Sequence, residues 1–397
     1  MAETVKKNND RFQAIPFLDL KVQYRSIRKE ILEAMEGVLE SQAFILGPTV
    51  QRFEEQVASY LPCRVAVGVA SGTDALLLSL MVLGIGPGDA VLVPTFTFFS
   101  SVACITRLGA TPIFVDIDPD SCLLDMHQAA ALLGQRSRIG QARIKAILPV
   151  HLFGQCCEMD ELLALANRYE LKIVEDVAQA FGSKVKLGKG GPKAAGTIGD
   201  LGCFSFFPTK TLGGFGDGGL VATNDQPLAD KIRRLRVHGQ GTKYHHEAIG
   251  INSRLDALQA AILQVKLRYL DQWCDQRIQH AHYYEKLFSS CGLVKDKTII
   301  LPASGTERSH IYNYYIIRAE RRDELKQHLA NRGIQTLVYY PLPLHLQPCF
   351  EHLGYHKGDL PISELVTTQV LAIPMYPELT SEQQEIVVQR IAEFYRE

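Results

Sequence analysis

The chain has 397 residues, and its 42 basic and 43 acidic side chains leave a formal net charge of -1. At about 150 residues per domain this length predicts two to three domains, and 46% hydrophobic with 21% charged residues is an ordinary globular composition, which excludes disorder. The near-neutral charge argues against nucleic acid bound through a broad basic surface, and the longest apolar run, residues 75–86, is shorter than the roughly 20 residues a membrane span needs.

The N-terminal stretch is polar and lacks the hydrophobic region of a secretory signal. Nine cysteines, an odd number without CxxC spacing, fit a reduced, cytoplasmic protein better than a disulfide framework. The first clear element is a helix at residues 27–40, with Ile27, Ile31, Met35, Val38 and Leu39 on one face. Seven short apolar runs follow at residues 64–70, 90–94, 112–117, 145–150, 172–177, 202–207 and 219–223. Continuous apolarity means burial on both faces, as in a mostly parallel sheet covered by helices. Helical segments at 75–83 and 160–169 alternate with them, so the expectation is an open α/β sheet with its ligand beyond the carboxyl ends of the strands.

From Leu255 the pattern changes. Leu255, Leu258, Ile262, Val265 and Tyr269 share a face of one long helix. A strand at 311–319, a helix at 322–332 ended by Gly333, and a strand at 334–340 come next. A last helix starts at Thr380, which forms a capping box with Gln383. The division predicted is a large α/β domain at residues 15–255 and a smaller α+β domain at 256–397.

Four clusters fall at strand ends. Ser71-Gly72-Thr73-Asp74 reads either as a capped helix without a ligand or as a cradle of backbone N–H groups for an anion. Glu175 and Asp176 end an apolar run on opposite faces; Asp176 is either a solvated carboxylate or the partner of a cationic ring nitrogen. Lys210 follows the 202–207 run by three residues and is a surface lysine or an amine for a Schiff base. Gly214, Gly216 and Gly219 match GxGxxG, but a strand follows instead of a helix, so a nicotinamide site is rejected. Phosphate cradle, carboxylate and lysine together are the set that pyridoxal phosphate chemistry requires.

The motifs at 175–182 (EDVAQAFG), 199–219 (GDLGCFSFFPTKTLGGFGDGG) and 250–263 (GINSRLDALQAAIL), with matching stretches from Phe17 to Leu379, resemble the DegT/StrS-type sugar-nucleotide aminotransferases. That resemblance implies a fold-type-I pyridoxal phosphate transferase with a seven-stranded, mostly parallel sheet between helices. Lys210 then carries the Schiff base and shuttles the proton, and Asp176 pairs with the pyridinium nitrogen. Gln179 lies beside the ring, Phe98 stacks on it, and Gly72, Thr73 and Ser205 bind the phosphate. Asn252 reaches the phosphate of the neighbouring subunit in a homodimer. His345, His310, His151 and Arg254 are candidate substrate contacts, hydrogen-bonded structural histidines being the other reading of the three imidazoles. Phe181 stands where many relatives have His. The lysines at 184, 186, 189 and 193 form either a lid that attracts a diphosphate or a solvated loop. The residues around His151, Cys156 and Cys157 fit no zinc pattern, so no metal is expected.

The implied reaction is ping-pong transfer from L-glutamate, by way of pyridoxamine phosphate and 2-oxoglutarate, to a nucleoside-diphosphate keto sugar. The Asn252–Asp256 motif resembles the branch of that family acting at C3 of 3-keto sugars more than the C4 branch, which implies amination at C3. Relatives with His in place of the lysine act as dehydratases on pyridoxamine phosphate, whereas Lys210 favours transamination. A non-catalytic cofactor-binding regulator is the rival from another class, and neither membrane nor nucleic acid is expected as a partner.

Overall fold

The computed structural model describes residues 14–134, 142–303 and 309–396; most of the polar N-terminal stretch, residues 1–13, lies outside them. In chain order the larger part comprises helix α1 (Leu20–Ser41), α2 (Gly47–Tyr60), strand β1 (Val65–Val69), α3 (Gly72–Val82), β2 (Asp89–Pro94), α4 (Ser100–Arg107), β3 (Thr111–Val115), α5 (Met126–Gly134), β4 (Arg143–Ile147), α6 (Met159–Tyr169) and β5 (Lys172–Asp176). It continues through the short pair β6 (Lys184–Lys186) and β7 (Pro192–Ala194), then β8 (Leu201–Ser205), β9 (Gly219–Thr223) and α7 (Gln226–Leu235). A small hairpin, β10 (Gln240–Thr242) and β11 (His245–His246), leads to α8 (Ala257–Leu267).

All seven apolar runs join one sheet in the order β1-β9-β8-β5-β4-β2-β3. Only β9 runs antiparallel to its neighbours, so the sheet is mostly parallel, as expected. β1 and β9 are buried along their whole length, which is why such strands read as unbroken apolar sequence rather than alternation. The parallel strands end together, and β9 starts at that same edge. The segments leaving β1, β2, β5 and β8 therefore converge.

The remainder comprises α9 (Leu270–Cys291), β12 (Ile299–Ile300), β13 (Tyr315–Ala319), α10 (Arg322–Asn331), α11 (Pro361–Gln369), β14 (Val370–Ile373) and α12 (Ser381–Arg396). β13 pairs antiparallel with β12 and β14. Tyr284, Phe288, Tyr315, Leu325 and Ile391 form a second core here. The capping box is present, with Thr380 N–H bonding Gln383 and Gln383 N–H bonding the Thr380 hydroxyl.

Three elements differ from the sequence reading. The long helix from Leu255 is two helices, broken at Arg268–Tyr269. The 311–319 strand begins only at Tyr315, because Tyr312 takes a φ of 49°. Residues 334–340 form no strand: Leu337 bridges Ala372 of β14, and Ile334 bridges Ile15 at the start of the described chain. Tyr339 and Tyr340 line a cavity instead, and Ile334 packs into the second core.

Candidate active site

The alternation of side chains along a strand sends Glu175 and Asp176 to opposite faces of β5. Glu175 is fully buried and accepts hydrogen bonds from His151 Nε2 (2.9 Å) and from the N–H groups of Gly196, Ile198 and Gly199 (2.8, 2.8 and 2.6 Å). Burial alone would raise its pKa, but the His151 hydrogen bond and the backbone donors outweigh that and hold it below the usual carboxylate range. Asp176 faces the other way. Its Oδ1 accepts from Ala178 N–H (3.0 Å) and its Oδ2 from the Ser101 hydroxyl (2.8 Å). Burial pushes Asp176 up, and those donors and the Lys210 charge reverse only part of the shift. A cationic partner would favour its ionised form.

Across the sheet edge, Ser71 caps α3 by accepting Asp74 N–H (3.0 Å). Gly72 lies so close to Ser205 that a Cβ there would stand 2.7 Å from the Ser205 Cβ. The α3 N-terminus is thereby laid against the end of β8. Thr73 Oγ1 meets Ser100 Oγ at 2.8 Å. Free N–H groups at a helix start, beside small hydroxyl side chains, suit a phosphate.

Lys210 stands on a tight turn after β8. Its N–H bonds Phe207 O (2.9 Å), and Gly214 N–H bonds Phe206 O (2.8 Å). The ammonium of buried Lys266 holds Gly213 O from behind. The glycine run that follows is a matter of space: a Cβ on Gly219 would meet the Ser71 carbonyl at 2.3 Å. Lys210 Nζ lies 5.9 Å from the centre of the Tyr314 ring.

These segments enclose a cavity of about 400 Å³ lined by Gly72, Thr73, Phe98, Asp176, Gln179, Ser205 and Lys210. Seven of the eight residues named for the cofactor thus meet in one place. Asn252 does not: it is exposed, on a segment that bridges to Val237, outside this chain's own cavity. Two grooves of about 580 and 590 Å³, one between α1, α2 and α8 and one beside β1, contain neither Lys210 nor Asp176.

None of the candidate substrate residues lines the cavity. His151 is buried behind Asp176, where its Nδ1 accepts Cys157 N–H (3.1 Å) and its Nε2 meets Glu175. His345 is buried between Thr95 Oγ1 (2.8 Å) and Glu364 (3.2 Å). His310 stacks on Tyr312 at 3.9 Å and accepts its N–H. Arg254 is half-buried on the segment entering α8. Phe181 packs between Tyr60 and Phe204, away from the cavity. The β6–β7 lysines are likewise off the wall, and their loop is tied to Asp160 through Gly188 N–H. Among the described residues no group of three or more His, Cys, Asp or Glu is placed to hold a metal.

Sequence reasoning did not single out Thr97, Ser100, Ser101, Tyr314, Tyr339 or Tyr340. Tyr314, Tyr339 and Tyr340 form a wall contributed by the smaller part of the chain, and Tyr340 OH accepts from Gln179 Nε2 (3.0 Å) while Gln179 Oε1 accepts Phe153 N–H (2.8 Å). Ser100 and Ser101 follow Phe98 by two and three residues at the start of α4.

The residues fit pyridoxal phosphate: an anion cradle with no room for a Cβ, a buried carboxylate awaiting a cation, and a lysine amine in one aromatic-walled space. Fold and site together define a fold-type-I pyridoxal phosphate enzyme. The chain belongs to the DegT/DnrJ/EryC1/StrS aminotransferase family, whose profile matches residues 25–392. It is 45% identical, over 96% of its length and 99% of the relative's, to a pleiotropic regulatory protein of Geobacillus stearothermophilus. It is 42% identical, over 96% of each chain, to a dTDP-3-amino-3,4,6-trideoxy-alpha-D-glucose transaminase of Streptomyces venezuelae. The crystal structure of S. venezuelae DesV in complex with a ketimine intermediate superposes with a TM-score of 0.89 at 40% identity, covering 97% of this chain and 99% of that one. No helix among the described residues is long and apolar enough to cross a membrane.

Proposed function

We propose that the protein transfers the amino group of L-glutamate to C3 of a keto sugar carried on a nucleoside diphosphate, in a ping-pong cycle that releases 2-oxoglutarate. The observation that carries this reading is the convergence of Lys210, Asp176 and the Gly72–Ser205 cradle on one cavity. The 3-amino sugar made by the Streptomyces relative supports position C3.

When bound, pyridoxal phosphate supplies a carbonyl carbon for the incoming amine and a ring that takes up the electron pair left by C–H cleavage. Gly72, Thr73 and Ser205 hold its phosphate. Asp176 holds the proton on its ring nitrogen. Phe98 and the Tyr314, Tyr339 and Tyr340 wall exclude water. With the cofactor bound, the Lys210 amine would take the proton from the amino acid α-carbon and hold it as an ammonium, and in the second half-reaction would give a proton to the sugar carbon that receives nitrogen.

We further propose that the working unit is a homodimer in which Asn252 reaches the partner's phosphate site, and that it acts in the cytoplasm, where nine thiols stay reduced. The test is incubation with glutamate and a panel of dTDP- and UDP-linked keto sugars, with 2-oxoglutarate and amino sugar quantified. A regulatory role is the second reading, favoured by the Geobacillus relative. A complete set of Lys210, Asp176 and Ser205 in the cavity counts against a non-catalytic one.

A further inference from the structure

Asp176 is only 5% exposed, and a buried carboxylate is costly unless donors reach it. Among the described residues it has two. Ala178 N–H is local to the turn after β5. Ser101 is not: it sits at the start of α4, 75 residues away, and is wholly buried. Its single hydroxyl proton goes to Asp176 Oδ2 at 2.8 Å, so in its contact with Thr97 Oγ1 at 3.1 Å it is the acceptor and Thr97 the donor. Thr97 is itself 2% exposed and on the cavity wall. Hydrogen bonds in such a chain polarise one another, and more so in a low-dielectric interior. The preceding residue, Ser100, turns its hydroxyl to Thr73 in the anion cradle. Two adjacent serines of α4 thus serve the two ends of the cavity.

We propose that Thr97 and Ser101 form a hydroxyl relay that orients Asp176 and keeps it ionised toward the ring nitrogen of the cofactor, Ser101 being a positioning residue. The inference rests on the reading of the cavity as a pyridoxal phosphate site. It adds no covalent step: no bond to the cofactor changes, and the relay fixes where the carboxylate points and how strongly it holds a proton opposite.

The experiment reconstitutes the full-length protein with pyridoxal phosphate labelled with ¹⁵N in the ring and reads the nitrogen resonance and the cofactor Kd at neutral pH. Wild type shows a protonated ring nitrogen. Ser101→Ala moves the resonance toward the unprotonated position and raises Kd by about tenfold, the size expected for losing one hydrogen bond to a charged group. Thr97→Val moves both in the same direction by less. The double variant is no worse than Ser101→Ala, because Thr97 acts through Ser101. Asp176→Asn is the reference for full loss. A resonance that moves in Asp176→Asn but stays in place in Ser101→Ala, or single effects that add in full, overturns the relay. A resonance unmoved even in Asp176→Asn overturns the cofactor pairing itself.

Discussion

Glu175 and Asp176 are neighbours in the chain and bond on opposite faces of the sheet: Glu175 to His151 and three backbone N–H groups, Asp176 to Ser101 and the cavity side. One carboxylate ties the 196–199 loop to the sheet, and the other is left for a ligand. The division follows from strand alternation alone.

Removing the imidazole leaves Glu175 as a buried charge with one donor fewer. His151→Leu is therefore expected to cost about 3–5 kcal/mol of stability. The check is the denaturation midpoint of the cofactor-free protein, with cofactor affinity of the folded fraction little changed. An unaltered midpoint with weakened substrate binding would instead make His151 a substrate contact.

The contact between Gly72 and Ser205 leaves no space for a side chain. Gly72→Ala places a Cβ 2.7 Å from the Ser205 Cβ. Overpacking of this kind costs about 1–3 kcal/mol, and here it falls on the cradle. Cofactor Kd, measured by titrating the cofactor-free protein, is expected to rise between about ten- and hundredfold.

Lys266 gives a pH signature. Burial lowers its pKa from 10.5 to about 8, with Glu378 opposing the shift. Below about pH 8 the lysine is charged in both folded and unfolded chains, and the desolvation penalty is fully present. Between about 8 and 10.5 the unfolded chain binds more protons, so stability rises with pH. The stability difference between wild type and Lys266→Met should climb across that window. A flat difference in chemical denaturation at stepped pH would show that Lys266 does not titrate there.

The dimer reading makes a mixing prediction. Lys210→Ala and Asn252→Ala damage different halves of a shared site, so a mixed dimer retains one intact site. Random mixing gives half mixed dimers, and recovery to about a quarter of wild-type turnover is expected. Mixtures as inactive as their parents, with subunit exchange verified, would place Asn252 outside the partner's site.

The sheet was readable because doubly buried strands leave unbroken apolar runs, and all seven did. Lys210, Asp176 and the Ser71–Asp74 turn were readable because each closes such a run. Residues 334–340 misled because a core residue, Ile334, followed by two cavity-lining tyrosines, Tyr339 and Tyr340, has the composition of a strand. Ser101 and Tyr340 went unread because their partners, Asp176 and Gln179, lie 75 and 161 residues away, and a lone hydroxyl carries no periodicity. Of the candidate histidines only His345 followed the resemblance, and the hydrogen bonds of His151, His345 and His310 to Glu175, Thr95 and Tyr312 become visible only after folding.

One reaction decides whether Lys210 and its cavity carry amino transfer to C3. The holoprotein is incubated with L-glutamate and a dTDP- or UDP-linked 3-keto sugar, with Lys210→Ala alongside, and the products are analysed by NMR and 2-oxoglutarate release. One 2-oxoglutarate per amino sugar, nitrogen at C3, and no turnover in the folded Lys210→Ala protein are expected. Nitrogen at C4, a dehydrated sugar without 2-oxoglutarate, or turnover near wild type in Lys210→Ala would contradict that transfer.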